Sequence, residues 1–385
     1  MPRKRSRRDS TPKSNRKRRV EDASYPEHRQ VVTESGEVIE VPEIVEEMKI
    51  EEHLHEPDVR IKTKRHIKAK AKEVPRELDI RAQFPIFDDK VMHLATKKGD
   101  VANRVIVCVE ETTAWRLARF FDNPTEVIEV ISTRHFRTYT GLFQGIPVSV
   151  IASGMGAPMV DFTMREAKFC IDGPMAVVRL GTCCSVSNCV EGDIVISTKG
   201  SFNVLTDFDA RQAHKGSAYK ISDVVAADEN LSSLLKTHIR DSLPNKDICK
   251  TGLNGTTDSF YGSQARFSEK FNDENEYLIN EILEKYPDTK TLDMETFGVV
   301  ATAAMAKKKD VYASAVSLVV LNRMQSGGKV SKAQMVEIED LTGYGIFKAL
   351  AGFDFPGGEP LGTLDMIKKI KFSPKVAGGN PVSSH

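Results

Sequence analysis

Long apolar runs are missing from this chain of 385 residues. None reaches the ~18–20 residues that a membrane-crossing helix needs, and the first residues hold no apolar stretch of a secretory leader. The expectation is an intracellular chain without a membrane partner. Cysteine is sparse too, six in all, and tryptophan occurs once. Cys183, Cys184 and Cys189 fall close together, but no second pair follows at zinc spacing and no histidine cluster joins them. Reduced thiols in a core fit this pattern better than a disulfide framework or a metal centre. No internal repeat is visible. Hydrophobic residues make up 40%, enough for one large core.

Charge is nearly balanced, at +1, but it is segregated. Residues 1–20 carry ten Lys and Arg (Arg3 to Arg19) against one Asp; residues 34–58 are acidic, from Glu34 to Asp58; residues 60–72 turn basic again. Such blocks bury too little apolar surface to offset the entropy of ordering. Residues 1–78 therefore read as a disordered charged extension, residues 79–371 as one domain, and the Gly-, Pro- and Ser-rich residues 372–385 as a flexible tail. Lys4-Arg5-Ser6-Arg7-Arg8 with Lys13 and Arg16–Arg19 has the form of a two-part nuclear localisation signal, read by an import receptor. A basic tail that touches nucleic acid reads equally from the same residues. A cytoplasmic or nuclear protein follows. A mitochondrial presequence fits less well, because Pro2 and Pro12 oppose an amphipathic helix.

Within the domain, apolar runs alternate with helical stretches. Strands are expected at 104–109, 127–131, 175–178, 193–197 and 311–320, and a hairpin at 136–143 and 147–152 around Gln144-Gly145. Helices are expected around Trp115, at 161–170, 274–286 and 331–350. That alternation predicts an α/β layered domain.

Three segments carry chemistry. In Thr257-Asp258-Ser259-Phe260-Tyr261-Gly262-Ser263-Gln264-Ala265-Arg266, an aromatic pair precedes an amide and a guanidinium. An aromatic face stacks on a flat heterocycle, an amide donates to one edge atom and accepts from the next, and a guanidinium donates to a carbonyl. A pyrimidine base offers that alternation. Taken alone, the segment also reads as a surface loop after a buried aromatic. Val178-Arg179-Leu180-Gly181-Thr182-Cys183 reads as a buried strand ending in a tight Gly turn, with a forked donor and a hydroxyl at its mouth, a pairing suited to an oxyanion. A simple strand-end charge is the plain alternative. Leu292-Asp293-Met294-Glu295-Thr296 opens an Ala-rich helical stretch, 297–309. Its Glu can hold a ribose diol, or only complement the helix dipole.

In this order, with Val91-Met92-His93-Leu94, Ser153-Gly154-Met155-Gly156-Ala157-Pro158 and Val319-Val320-Leu321-Asn322-Arg323, these segments resemble the uridine phosphorylases of the nucleoside phosphorylase family over residues 91–350. Phe-Tyr-x-x-Gln-x-Arg is the spacing that sets uridine-type members apart from purine-type ones. The resemblance implies a three-layer nucleoside phosphorylase-like α/β fold, with a mixed, partly barrel-like central sheet flanked by helices. It implies conversion of uridine and phosphate to uracil and ribose 1-phosphate. Phosphate is then a co-substrate, with no cofactor and no metal. Uracil is assigned to Phe260, Gln264, Arg266, Val320 and Leu321, ribose to Met294 and Glu295, and phosphate to Arg179, Gly181 and Thr182. Arg179, Gln264, Arg266 and Glu295 would carry catalysis. His93 (to ribose) and Arg134 (to phosphate) match residues that a partner subunit donates, which implies a homodimer or higher oligomer with shared sites. Asn322 stands in the region where purine-type members carry an Asp acid, and an amide cannot serve as that acid.

One departure from the family pattern stands out. The first phosphate loop usually reads Gly-Asp-Pro-x-Arg. Here the stretch is Val109-Glu110-Glu111-Thr112-Thr113-Ala114-Trp115-Arg116, with no Gly, two Glu, and Thr113 where the Arg is expected. Arg116 follows one helical turn on, within reach of the same face. The Asp before Met294-Glu295 replaces the more usual Glu. These changes leave two further readings open: a family member without turnover that serves as a binding or structural subunit of a larger assembly, and a nucleoside hydrolase that uses water instead of phosphate.

Overall fold

The computed structural model describes residues 28–32, 38–42, 84–213, 216–325, 330–360 and 362–371. Strands β1 (His28–Val32) and β2 (Val38–Pro42) pair antiparallel. This ladder lies inside the extension that its charge blocks mark as disordered. β-branched residues on either side of Ser35-Gly36 are the local hairpin signal that the block charge hides. The remainder of that extension and the expected tail at 372–385 fall outside the described residues.

The domain runs β3 (Ile86–Phe87), β4 (Lys90–Val91), β5 (Arg104–Cys108), α1 (Glu111–Ala118), β6 (Ile128–Ile131), β7 (Arg137–Phe143), β8 (Ile146–Ala152), α2 (Ala157–Cys170), β9 (Met175–Ser185), β10 (Ile194–Ile196), β11 (Ser201–Thr206) and α3 (Phe208–Ala213). It continues through β12 (Tyr219–Ile221), α4 (Glu229–Ser242), β13 (Cys249–Thr251), β14 (Leu253–Thr257), α5 (Leu278–Lys285), β15 (Thr289–Asp293), α6 (Thr296–Ala304), β16 (Val311–Asn322), α7 (Lys332–Ala351) and α8 (Thr363–Lys371).

Strands β5 to β16 form one mixed sheet of twelve, ordered β12-β11-β14-β15-β9-β5-β8-β7-β6, with β16 joining β9 to β10 and β13. β9 organises it. Its first half pairs with β5, from Ala176 to Leu180, and its far end pairs with β15 at Cys184 and Ser185. β16 runs parallel to β9 over its whole length. Past Leu180 the sheet therefore divides, with β5 ending and β15 beginning. A crevice at such a divide is where open α/β sheets bind ligands.

Alternation along β5 makes two cores. Ile106 and Cys108 face α1, α4 and α7 through Leu117, Leu235, Ile239, Ile346 and Phe347. Val105 and Val107 face α2 and α6 through Val160, Met164, Val299 and Val300. The result is a three-layer α/β fold. The hairpin turn falls as expected, with positive φ at Gln144 (51°) and Gly145 (76°).

Two helices are shorter than expected, 274–286 narrowing to Leu278–Lys285 and 297–309 to Thr296–Ala304, and two further local expectations need correction. β9 does not turn at Gly181 but continues to Ser185, because β16 pairs with it throughout. Gly181 instead makes room for a guanidinium, since a Cβ there would lie 2.4 Å from Arg179 Nη2. α2 starts at Ala157, four residues before the expected start, because Pro158 suits a first turn and Gly156 adopts φ 96° and ψ 161°, a conformation open essentially to Gly.

Candidate functional site

A cavity of about 400 Å³ opens at the sheet divide. Its lining comes from the end of β5 (Cys108, Val109), β9 (Arg179 to Cys184), the loop after β14 (Phe260, Gln264, Arg266), the β15–α6 junction (Leu292 to Glu295), β16 (Leu318, Val320, Leu321) and α7 (Lys332, Met335, Val336, Glu339). Every sequence-assigned residue except His93 and Arg134 lines it. A second hollow near Tyr219 and Tyr277 is less than half as large, about 190 Å³, and carries none of them.

At one end stand Gln264 and Arg266. Gln264 is buried; its Nε2 donates to Thr257 Oγ1 at 3.1 Å and its Oε1 accepts from Arg266 Nη2 at 3.2 Å. Cys184 Sγ lies 3.7 Å from the same Oε1. The Arg266 guanidinium sits over the Phe260 ring at 3.9 Å, and its buried Nε has no protein partner among the described residues. Burial holds Arg266 below its usual pKa, with nearby Arg323 adding to the effect. Arg323 donates to the carbonyls of Gln264 (2.9 Å) and Ala265 (2.8 Å), and so fixes the loop from β16. A bulge at Val319–Leu321 in β16 breaks the ladder and turns Val320 and Leu321 toward the cavity.

In the middle lies a buried ion cluster. Arg179, 1% exposed, holds Asp293 Oδ2 at 2.9 Å and Glu295 Oε2 at 2.6 Å, and donates to Ser317 Oγ at 2.9 Å. Burial works against its charge, but Asp293 and Glu295 outweigh that and shift its pKa upward. Glu295 Oε1 accepts from the Gly156 N–H at 2.7 Å, which ties the Gly-Met-Gly loop to the ribose-assigned residue. Asp293 Oδ1 accepts from Thr256 Oγ1 at 2.7 Å. The shorter acid thus still reaches Arg179. Thr182 is exposed to the cavity beside them.

The far end differs from the expected phosphate loop. Arg116 does not line the cavity; it holds Asp340 Oδ1 at 2.7 Å and a Glu339 oxygen. Burial opposes its charge, but the two acids raise its pKa on balance. The reach of one helical turn is spent on α7, because that is where its buried carboxylate partners are. Thr113 donates to Glu339 Oε2 at 3.2 Å, and Glu110 and Glu339 both face the cavity. Burial pushes the Glu339 carboxyl up, and Asp340 and Glu110 push it further, against Arg116 and Thr113.

His93 and Arg134 lie together, away from their own chain's cavity. Ser132 Oγ donates to the His93 carbonyl and accepts the Arg134 N–H at 3.1 Å. His93 Nδ1 is 2.6 Å from Glu166, and its ring stacks on Phe162 at 3.8 Å. Asn322 is buried and spent on structure: it donates to Ser187 and Cys189 carbonyls and accepts from the Met324 and Gln325 N–H groups. All six cysteines are buried thiols. Among the described residues, no helix is long and apolar enough to cross a membrane.

Sequence reasoning gives no role to Arg323, Ser317 or Glu339. Arg323 closes the Val319-Val320-Leu321-Asn322-Arg323 motif, so a lone cation after a strand is its available signal. Glu339 has none, because it reaches the cavity only by the packing of α7.

Crevice, amide–guanidinium pair and buried acid–guanidinium cluster together make up this cavity. The sequence profile of the Phosphorylase superfamily matches residues 103–340, and the chain belongs to that family of nucleoside and uridine phosphorylases. A uridine phosphorylase structure from the oomycete Phytophthora capsici is 33% identical, covers 70% of this chain and 96% of its own, and superposes with a TM-score of 0.66. A uridine phosphorylase of Thermococcus kodakarensis is 27% identical over 179 residues, 45% of this chain and 57% of that protein. A DeoD-type purine nucleoside phosphorylase of Mannheimia succiniciproducens is 29% identical over 158 residues, 35% of this chain and 65% of that one. The matches thus span less than two thirds of these two relatives.

Proposed function

We propose that this protein is a uridine phosphorylase, converting uridine and phosphate to uracil and ribose 1-phosphate. One observation carries the reading: Gln264 and Arg266 line one end of the cavity as a joined pair, backed by Phe260 and held by Arg323. The glycosidic bond breaks with negative charge moving onto the base and positive charge onto the sugar. Donors aimed at the base and a carboxylate near the sugar stabilise both, and Arg266 and Glu295 supply them. Arg179, Gly181 and Thr182 would receive phosphate. Because Asn322 is an amide spent on structure, it cannot protonate a purine ring nitrogen, which favours pyrimidines. His93 and Arg134, paired through Ser132, suit donation to a second copy's site, in a homodimer or higher oligomer. The basic arm would send the protein to the nucleus or leave it in the cytoplasm.

Incubation with uridine, with and without phosphate, tests this. Formation of ribose 1-phosphate together with uracil when phosphate is present is expected. Arg266→Ala should weaken uracil binding about 10- to 100-fold, the worth of a charge-assisted hydrogen bond, and leave phosphate binding nearly intact. Equal loss of both would mean that the base end is misassigned.

A second reading is favoured by Glu110 and Glu339 at the phosphate end and by Arg116 being spent on α7. In it the protein binds the nucleoside without turnover, as a subunit of a larger assembly. Uridine would then stabilise the fold without yielding uracil.

A further inference from the structure

Glu339 lines the same cavity as Arg179, Thr182 and Glu295. Its carboxylate accepts the hydroxyl of Thr113, the residue that stands where a phosphate-binding Arg is expected. The nearest guanidinium, Arg116, is turned to α7 by Asp340. The cavity lining as a whole holds four carboxylates (Glu110, Asp293, Glu295, Glu339) against three cations (Arg179, Arg266, Lys332). Arg179 is committed to Asp293 and Glu295, and Arg266 to Gln264 and the Phe260 face. A phosphate dianion entering this end meets Glu110 and Glu339, and like charges in a partly buried site repel. Water carries no charge. What an attacking water needs is a carboxylate that takes its proton.

We infer that the acceptor end of this pocket admits water, with Glu339 as its general base, so that the protein also hydrolyses the nucleoside it cleaves. The inference rests on the nucleoside-cleaving reading of the base end and adds a second acceptor to it. The water oxygen attacks the sugar C1′ as the C1′–N1 bond breaks. The electron pair of that bond goes to the uracil ring, where Gln264 and Arg266 face its polar edge. The water proton passes to Glu339 and from there, by solvent, to the departing base. The products are uracil and free ribose, and no oxidant, metal or co-reactant is consumed.

Burial supports the role, since it raises the proton affinity of the Glu339 carboxyl. A base whose pKa moves from the ordinary carboxylate value toward neutrality accepts a water proton more readily. The hydroxyl of Thr113 and the guanidinium of Arg116 fix the carboxylate in place, as a base must be fixed to work on a bound water.

The test uses the full-length protein with uridine in buffer stripped of phosphate, following uracil and reducing sugar together. Uracil and free ribose released in equal amounts are expected. Glu339→Gln should lower this phosphate-free rate by about 100-fold or more, the usual worth of a general base. The same change should lower the KM for phosphate, since it removes a charge that faces the anion. A merely structural ion pair would move both activities in one direction. Uracil release only with phosphate, giving ribose 1-phosphate alone, overturns the water step and leaves the phosphorylase reading standing. No release under either condition, with uridine still raising the melting temperature, overturns both. An unchanged phosphate-free rate in Glu339→Gln overturns the assignment to Glu339. Should that variant fail to fold, Glu339→Asp, which keeps the charge that faces Arg116, is expected to retain part of the hydrolysis, and the wild-type product analysis decides by itself.

Discussion

The two ends of the cavity are assembled in different ways. At the base end, Phe260, Gln264 and Arg266 lie within seven consecutive residues, and their donors are held by local contacts and by Arg323. At the acceptor end, the groups come from β5, α1, β9 and α7, and no short segment contains them. The first end joins an aromatic ring, an amide and a guanidinium, the composition that the proposed pyrimidine recognition calls for. The acceptor end lacks the Gly and Arg of the family's phosphate loop and carries carboxylates in that place. Recognition carried on one loop survives change elsewhere in the fold. An anion site shared among four elements is altered whenever any one of them repacks.

Three substitutions break or sharpen this contrast, in falling order of effect. Arg179 lies between the two ends and bridges Asp293 and Glu295, so Arg179→Ala leaves buried acids without that counter-charge. A loss of about 3–5 kcal/mol of stability is expected by urea titration. A loss under about 1 kcal/mol would mean that water already reaches the cluster. Arg323→Ala touches only the base end, removing two donors from the loop carbonyls. Uracil affinity should fall roughly 5- to 30-fold, about 1–2 kcal/mol, with phosphate affinity unchanged by calorimetric titration. Parallel loss of phosphate affinity would show the two ends to be mechanically coupled. Thr182→Val touches only the acceptor end. It should weaken phosphate binding roughly fivefold, about 1 kcal/mol, and leave uracil binding alone; no change would mean that the hydroxyl does not face the anion.

Legibility follows the same division. The strand at β5, the hairpin at β7 and β8, and the long helix α7 are readable because period and turn chemistry are local properties. Gly181 misleads as a turn because a Gly in a strand carries no mark of its neighbour across the sheet; pairing with β16 keeps the strand extended, and the Arg179 guanidinium uses the space. Asp293 reads along the chain only as a shortened acid, and its contact with Arg179 needs the crossing of β15 and β9. Arg116 falls on the expected helix but finds other partners than an anion, since its ion pairs to Glu339 and Asp340 span more than two hundred residues.

The amino-acid sequence by itself determined the family, the α/β layering and the grouping of Phe260, Gln264 and Arg266 on one loop, because each is written in spacings of a few residues that the backbone cannot disguise. Only the tertiary structure decided which charges meet: that Arg179 is neutralised by Asp293 and Glu295, that Arg116 is drawn to α7, and that Glu339 faces the cavity. Coulomb attraction and desolvation act through space, and two side chains far apart along the chain become a pair only after the sheet has closed around them.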